Sequence, residues 1–223
     1  EAYEKAKLIG PNECFIRDNS DLARDVKEWK RLVFDVIDNS KFKINYINDT
    51  KVLGTGNLLL QEAFTSATDY NGNDIPIGTF ISIAEKYNKI IEFDKKVIEK
   101  IKEHIKKENI KHEIIINLSF ESISNAEFII WLEKFITTNK NISNQLVFGV
   151  SAYCVNKDIN NFRNFCYVIN SMNSKVIVKR YEPKFISIDT IKNINISYIR
   201  LAREFTHELK DNHSKQNLID GII

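Results

Sequence analysis

Glycine, proline and methionine are scarce in this sequence of 223 residues, at seven, three and one. So few glycines exclude a collagen-like repeat, and plentiful Ile, Val, Phe and Leu exclude a disordered chain. Cysteine is also rare: Cys14, Cys154 and Cys166 are an odd number without paired spacing, which suits the reduced thiols of a cytoplasmic domain better than a disulfide framework. An excess of one charge is missing too. Lys and Arg number 32 against 30 Asp and Glu, a net charge of +2, so nothing pulls the chain toward lipid, and no nucleic-acid partner is expected. No apolar run approaches the ~20 residues that cross a bilayer, and the opening "EAYEKAKLIG" has no signal-peptide profile. That opening lacks a Met and begins in mid-helix, so a longer parent is expected, with a membrane anchor elsewhere as an open alternative. There is no G-x-S-x-G elbow, no G-x-x-x-x-G-K loop and no H-x-x-x-H pair.

What is present is a core and a period. Hydrophobic residues make up 43% of the chain, enough to fill one large domain. Ile9 to Asn12 stop a short N-terminal helix, and Asp21 is placed to cap a long one through Asn39, with Leu22, Val26, Trp29, Leu32 and Val33 on one face. From Lys41 strands and helices alternate. Phe42, Ile44 and Tyr46 mark a half-buried strand, and 57–64 is a continuous apolar run of the kind buried on both faces. Further strands are expected at 113–119, 145–151, 175–178 and 196–202. Helices are expected around 79–87 and 94–108, after a Ser124/Glu127 capping box, along the stripe Ile159, Phe162, Phe165, Cys166 and Ile169, over 185–191, and from Asn217 onward. Such a β-then-α order predicts a parallel α/β fold, either a barrel or an open doubly wound sheet.

In such folds chemistry is built at the carboxyl ends of the strands. The polar candidates there are Glu62, Asn117, the stretch Gly149 to Ala152, the adjacent cations Lys179 and Arg180, and Arg200. His104, His112, His207 and His213 lie on charged stretches and read as solvated surface residues, not as metal ligands.

The blocks "QEAF", "IPIGTFISIAEKYNKI" and "IIINLS", in this order and followed by strands at the right spacing, resemble the EAL domain, the bacterial cyclic di-GMP phosphodiesterase family. The resemblance covers about Phe42 to Ile223. "EAYEKAKLIGPN" in turn resembles the closing helix and turn of a GGDEF domain. The organisation this implies is a GGDEF remnant and link over 1–20, a linker helix over 21–40 and an EAL-like domain over 41–223. The implied fold is a modified (β/α)8 TIM-like barrel with its first strand antiparallel, here ending before its last strands. The resemblance also implies a site where two Mg²⁺ or Mn²⁺ ions, held by carboxylates and one Asn, activate water for attack on a phosphodiester.

Against that pattern Glu62 and Asn117 stand at family ligand positions. Gly149 and Ala152 fall where the family has two glutamates, Lys179 and Arg180 where it has two metal-bridging aspartates, and Arg200 on the following strand where it has lysine. Ile47 and Ser66 fall where nucleotide contacts are made. Ammonium and guanidinium groups next to a divalent ion repel it, so no catalytic residues, no bound metal and no cofactor are expected. The expected function is a catalytically inactive, degenerate EAL-like module of a GGDEF-EAL signalling protein, regulatory or protein-interacting, in a cytoplasmic domain. Its partners would be the other signalling domains of the same chain, a protein partner or a second copy. Two alternatives stay open. One is a receptor that binds cyclic di-GMP without hydrolysing it, with Lys179, Arg180 and Arg200 as an anion grip; the other is an active phosphodiesterase. For the cations themselves the competing reading is internal pairing with Glu62, Glu182 or Asp189.

Overall fold

The computed structural model describes residues 25–206 and 212–222. The residues before 25 carry the GGDEF-like stretch, Cys14 and the Asp21 cap, and these, like His207, lie outside the described residues. Two compact units divide the chain: residues 1–47 with 63–107, and residues 48–62 with 108–223.

The first unit contains helix α1 (Val26–Asp38), the start of strand β1 (Phe42–Lys51), the end of strand β2 (Leu58–Ala67), and helices α2 (Ile77–Lys86) and α3 (Ile90–Lys107). Asp25 caps α1, accepting from the Lys27 and Glu28 amides while the Glu28 carboxylate accepts from the Asp25 amide. Its apolar stripe, Trp29, Leu32, Val33, Val36 and Ile37, is buried. Phe42 and Phe80 both pack on Phe93, with ring centroids 5.1 and 5.0 Å apart.

At the exit of α1 a row of lysines from the α3 side holds the backbone. Lys89 reaches the Asp38 carboxylate at 2.6 Å, Lys96 the Asp38 carbonyl at 2.8 Å, and Lys100 the Ser40 and Phe42 carbonyls at 2.9 and 2.6 Å. These cations sit where the helix carbonyls concentrate negative charge, and Lys100 also lies 4.2 Å above the Phe42 ring. Burial lowers the Lys100 pKa.

The sheet order is β1-β2-β3-β4-β5-β6, with β3 (Glu113–Asn117), β4 (Leu146–Ser151), β5 (Lys175–Tyr181) and β6 (Tyr198–Leu201). The second unit holds β3 to β6 and the 48–62 ends of β1 and β2. Pairs β3/β4, β4/β5 and β5/β6 are parallel. The linking helices are α4 (Phe120–Ile123), α5 (Ala126–Thr138), α6 (Ala152–Lys157), α7 (Ile159–Ser171) and α8 (Ile188–Lys192), with α9 (Arg203–Thr206) and α10 (His213–Ile222) after β6. This is the expected α/β order. Alternate strand residues share a face, so β3, β4 and β5 contribute side chains to common tiers. Leu60, Ile115, Val147 and Ile177 form a buried apolar tier with Leu59 and Tyr198 packed against it.

Several expectations need correction. The Ser124/Glu127 box does not form: Ser124 still has helical backbone and closes α4, so Asn125 becomes the cap of α5, accepting from Phe128 N at 2.8 Å. The 57–64 run is not buried on both faces, for Leu58, Leu59 and Gln61 are half-buried and Phe64 is 36% exposed. Gln61 instead joins a polar chain, donating to Asp49 at 2.9 Å and lying 2.7 Å from His112 Nε2. Two histidines are accordingly not simply solvated: His112 is half-buried in that chain, and His104 stacks on Tyr46 at 4.0 Å.

Candidate functional site

Glu62, Asn117, Lys179 and Arg200 come from four different strands of the second unit and meet in one cluster above the apolar tier. Glu62 is the hub, with its side chain only 2% exposed. Lys179 Nζ donates to Glu62 Oε1 at 2.6 Å and also to Asn117 Oδ1. Arg200 donates from its guanidinium to the other oxygen, Oε2. Asn117 hydrogen-bonds Glu62 as well, and only its amide nitrogen can donate there. Both oxygens of Glu62 and the amide oxygen of Asn117 are thus engaged within the cluster.

Burial pushes the Glu62 carboxyl up, but the Lys179 and Arg200 charges and the Asn117 hydrogen bond outweigh it and leave the pKa below the ordinary carboxylate value. For Lys179 burial dominates: despite Glu62, its ammonium pKa is held below the ordinary lysine value, with the Arg200 and Arg180 charges acting in the same direction.

Lys179 and Arg180 do not act as a pair. The strand runs through both, but the β5/β6 register shifts between Val178 and Tyr181, and Arg180 takes a left-handed φ of 51° there. That bulge turns two adjacent cations to different surroundings: Lys179 is 18% exposed, whereas Arg180 is exposed. Tyr181 is fully buried, its hydroxyl donating to the Ile186 carbonyl at 3.0 Å. Of the three carboxylates considered for internal pairing, Glu62 takes Lys179, while Glu182 pairs with Lys184 at 2.6 Å.

Gly149 pairs with Asn117 on one side and Ile177 on the other. A Cβ there would lie 3.0 Å from Ile115 Cγ2 and 3.4 Å from Asn117 Oδ1. Its missing side chain leaves Ile115, Asn117 and Ile177 their close approach at this point of the sheet. Ala152 is fully buried as the first residue of α6, behind the Ser151 cap.

One cluster escaped sequence reasoning. Below the apolar tier Lys175 pairs with Glu113 and donates to the Tyr198 hydroxyl at 3.1 Å, and that hydroxyl donates to Glu113 at 2.9 Å. The signal was available, since 175, 177 and 179 alternate onto one face, as do 113, 115 and 117. A cavity of about 360 Å³ adjoins Arg200, lined by Leu59, Leu60, Ile177, Tyr198 and Ile199.

The chain is 25% and 26% identical to two solved structures of Vibrio cholerae LapD S helix-GGDEF-EAL. The c-di-GMP-bound form matches over 89% of this chain and 48% of that one at a TM-score of 0.77, and the apo form over 99% and 53% at 0.79. This chain therefore spans about half the length of those relatives. The Pseudomonas aeruginosa FimX EAL domain bound to c-di-GMP shares the fold at 14% identity, with 89% of this chain and 79% of that one covered and a TM-score of 0.76. No curated protein matches. The family model of the EAL domain fits residues 34–223, and the chain belongs to that family.

Proposed function

We propose that this EAL domain no longer hydrolyses cyclic di-GMP and works as a regulatory or protein-interaction module of a GGDEF-EAL signalling protein. One observation carries the reading: the Lys179 ammonium donates to both Glu62 and Asn117, the two residues retained at family ligand positions. A divalent ion needs anionic oxygens. Here the remaining donors are one carboxylate and one amide, already taken by an ammonium and a guanidinium, and Gly149 and Ala152 supply no carboxylate. Among the described residues no three His, Cys, Asp or Glu side chains are grouped to hold a metal. The residues do not fit Mg²⁺ or Mn²⁺.

A receptor that binds cyclic di-GMP without hydrolysis is the second reading. It is favoured by charge: Lys179 and Arg200 outnumber Glu62 in the cluster, Arg180 stands exposed next in the chain, and guanidinium groups grip phosphate oxygens. Its relative LapD was solved with c-di-GMP bound. Active hydrolysis ranks third. The proposed setting is the cytoplasm, beside other signalling domains of its parent. Among the described residues no helix is long and apolar enough to cross a membrane.

Two measurements test this. The chain is expected to release no linear dinucleotide from cyclic di-GMP with Mg²⁺ or Mn²⁺, and metal-dependent turnover would overturn the proposal. Calorimetric titration of cyclic di-GMP separates the first two readings: metal-independent binding that Arg200→Ala weakens supports the receptor, and no heat supports the interaction module.

A further inference from the structure

The second unit holds another cavity, of about 450 Å³, between α7 and the chain that leads from α8 into β6. That size falls within the ~300–1,000 Å³ of sites that hold small ligands. The patterning of α7 creates it. Phe162, Phe165, Cys166 and Ile169 are buried, which leaves Arg163, Tyr167, Asn170 and Ser171, spaced i, i+4, i+7 and i+8, to share a neighbouring face. Asn193 and Asn195 form the facing wall. The Asn170 amide donates to the Asn195 carbonyl at 2.6 Å and ties the helix to that wall, while the Asn193 amide donates to the Asp189 carbonyl at 2.8 Å. Burial pushes the Cys166 thiol of the lining up to about 12, so it carries no charge near neutral pH. Arg163 is the one charged residue of the lining. Among the described residues it has no ion-pair partner, and neither Tyr167 nor the Asn193 amide oxygen has a side-chain partner. Tyr167 is 77% exposed.

We propose that this cavity docks an extended segment of a partner protein, anchored by an Asp or Glu side chain on Arg163. The guanidinium offers a carboxylate two parallel N–H donors. The carboxamides of Asn170 and Asn193 each carry a donor and an acceptor, which match the N–H and C=O of a peptide main chain. Tyr167 covers that main chain with a rigid ring that is apolar on its face and polar at its tip. Tyr, Asn and Ser with an Arg is the residue set of antibody paratopes, where the ring supplies contact area and the small polar groups adapt. Tyr and Arg also lead the residues on which binding energy concentrates. Because the buried stripe fixes α7, both anchors stand on a formed helix and little ordering is needed on binding. A nucleotide fits less well, since a single guanidinium would face a monoester phosphate of about −1.5 to −2 charge. The proposal stands apart from the functional reading above: the cavity shares no residue with the Glu62 cluster and would serve a hydrolysing, a binding or an inactive domain alike.

The test selects phage that display random heptapeptides on the full chain, after depletion on the double variant Arg163→Ala, Tyr167→Ala. Both positions are exposed, so the double variant should melt at the wild-type temperature. Enriched peptides should share an Asp or Glu. A synthetic peptide of that consensus should bind the wild-type chain and lose about tenfold or more in affinity with either single variant. Replacing its acid by the matching amide should weaken binding as much as Arg163→Ala does, and the two changes together should cost no more than either alone, a coupling that a general structural effect of the variant would not produce. No enrichment overturns the proposal, as do peptides that lack an acid or bind the double variant equally well. So does binding of GMP or cyclic di-GMP that the double variant abolishes, which would make the cavity a nucleotide site.

Discussion

At the residue scale the site is governed by one carboxylate with more partners than oxygens. Glu62 is 2% exposed and faces Lys179, Arg200 and Asn117. Replacing it by Gln leaves buried cations without a counter-charge, and Glu62→Gln is expected to cost about 3–5 kcal/mol in urea unfolding. The linkage sign follows from its lowered pKa. As pH falls the unfolded chain takes up this proton first, so the stabilisation is whole above the ordinary value of 4.5 and is lost as pH drops through the lower folded value. Melting temperature against pH should show this acid slope in wild type and a shallower one in Glu62→Gln; parallel curves would remove Glu62 as its source. The sequence made Glu62, Asn117, Lys179 and Arg200 legible as strand-end residues, because each follows an apolar run. It could not show that Arg180 stands apart from Lys179. That depends on a register shift against β6, and pairing register between distant strands leaves no mark in a run of residue types.

The element scale belongs to the joint between α1 and β1. Three lysines from the α3 side hold the carbonyl-rich end of α1, and Lys100 spans the turn by binding Ser40 on one side and Phe42 on the other. Lys100→Met removes two charge-assisted hydrogen bonds and is expected to cost about 1–3 kcal/mol. Its pH signature runs opposite to that of Glu62. Burial lowers the Lys100 pKa from 10.5, so the unfolded chain binds that proton more tightly, and stability rises with pH in the window below 10.5. The raised pKa values of Lys89 and Lys175 act in the other direction, above 10.5. Thermal melts between neutral and alkaline pH should show a smaller rise in Lys100→Met; an unchanged rise would exclude Lys100 as its source. Helices were the most legible elements, since their apolar stripes repeat locally. Boundaries are less legible: the sequence pattern makes Ser124 a cap, but the short α4 ends on it, and four residues carry too little periodicity to announce a helix.

At the scale of the whole molecule the described interior of the second unit alternates between ionic and apolar tiers. The Glu62 cluster and the Lys175, Glu113 and Tyr198 cluster are separated by Leu60, Ile115, Val147 and Ile177. The apolar tier supports both, so Ile177→Ala, at a position 2% exposed, should cost about 2–5 kcal/mol; a loss well under 1 kcal/mol in urea titration would argue against a shared tier. The parallel α/β class was readable from the order of runs alone, whereas the tiers needed strand register. Gly149 gives this architecture a direction in sequence space. A carboxylate introduced there would press on Ile115 and crowd Asn117, while removing Lys179 first would take away one of the cations that neutralise Glu62. Each single step back toward a metal-binding arrangement therefore passes through a less stable protein. If the proposed loss of hydrolysis holds, a chain with lysine at this place has no easy one-mutation return, and the change works as a ratchet.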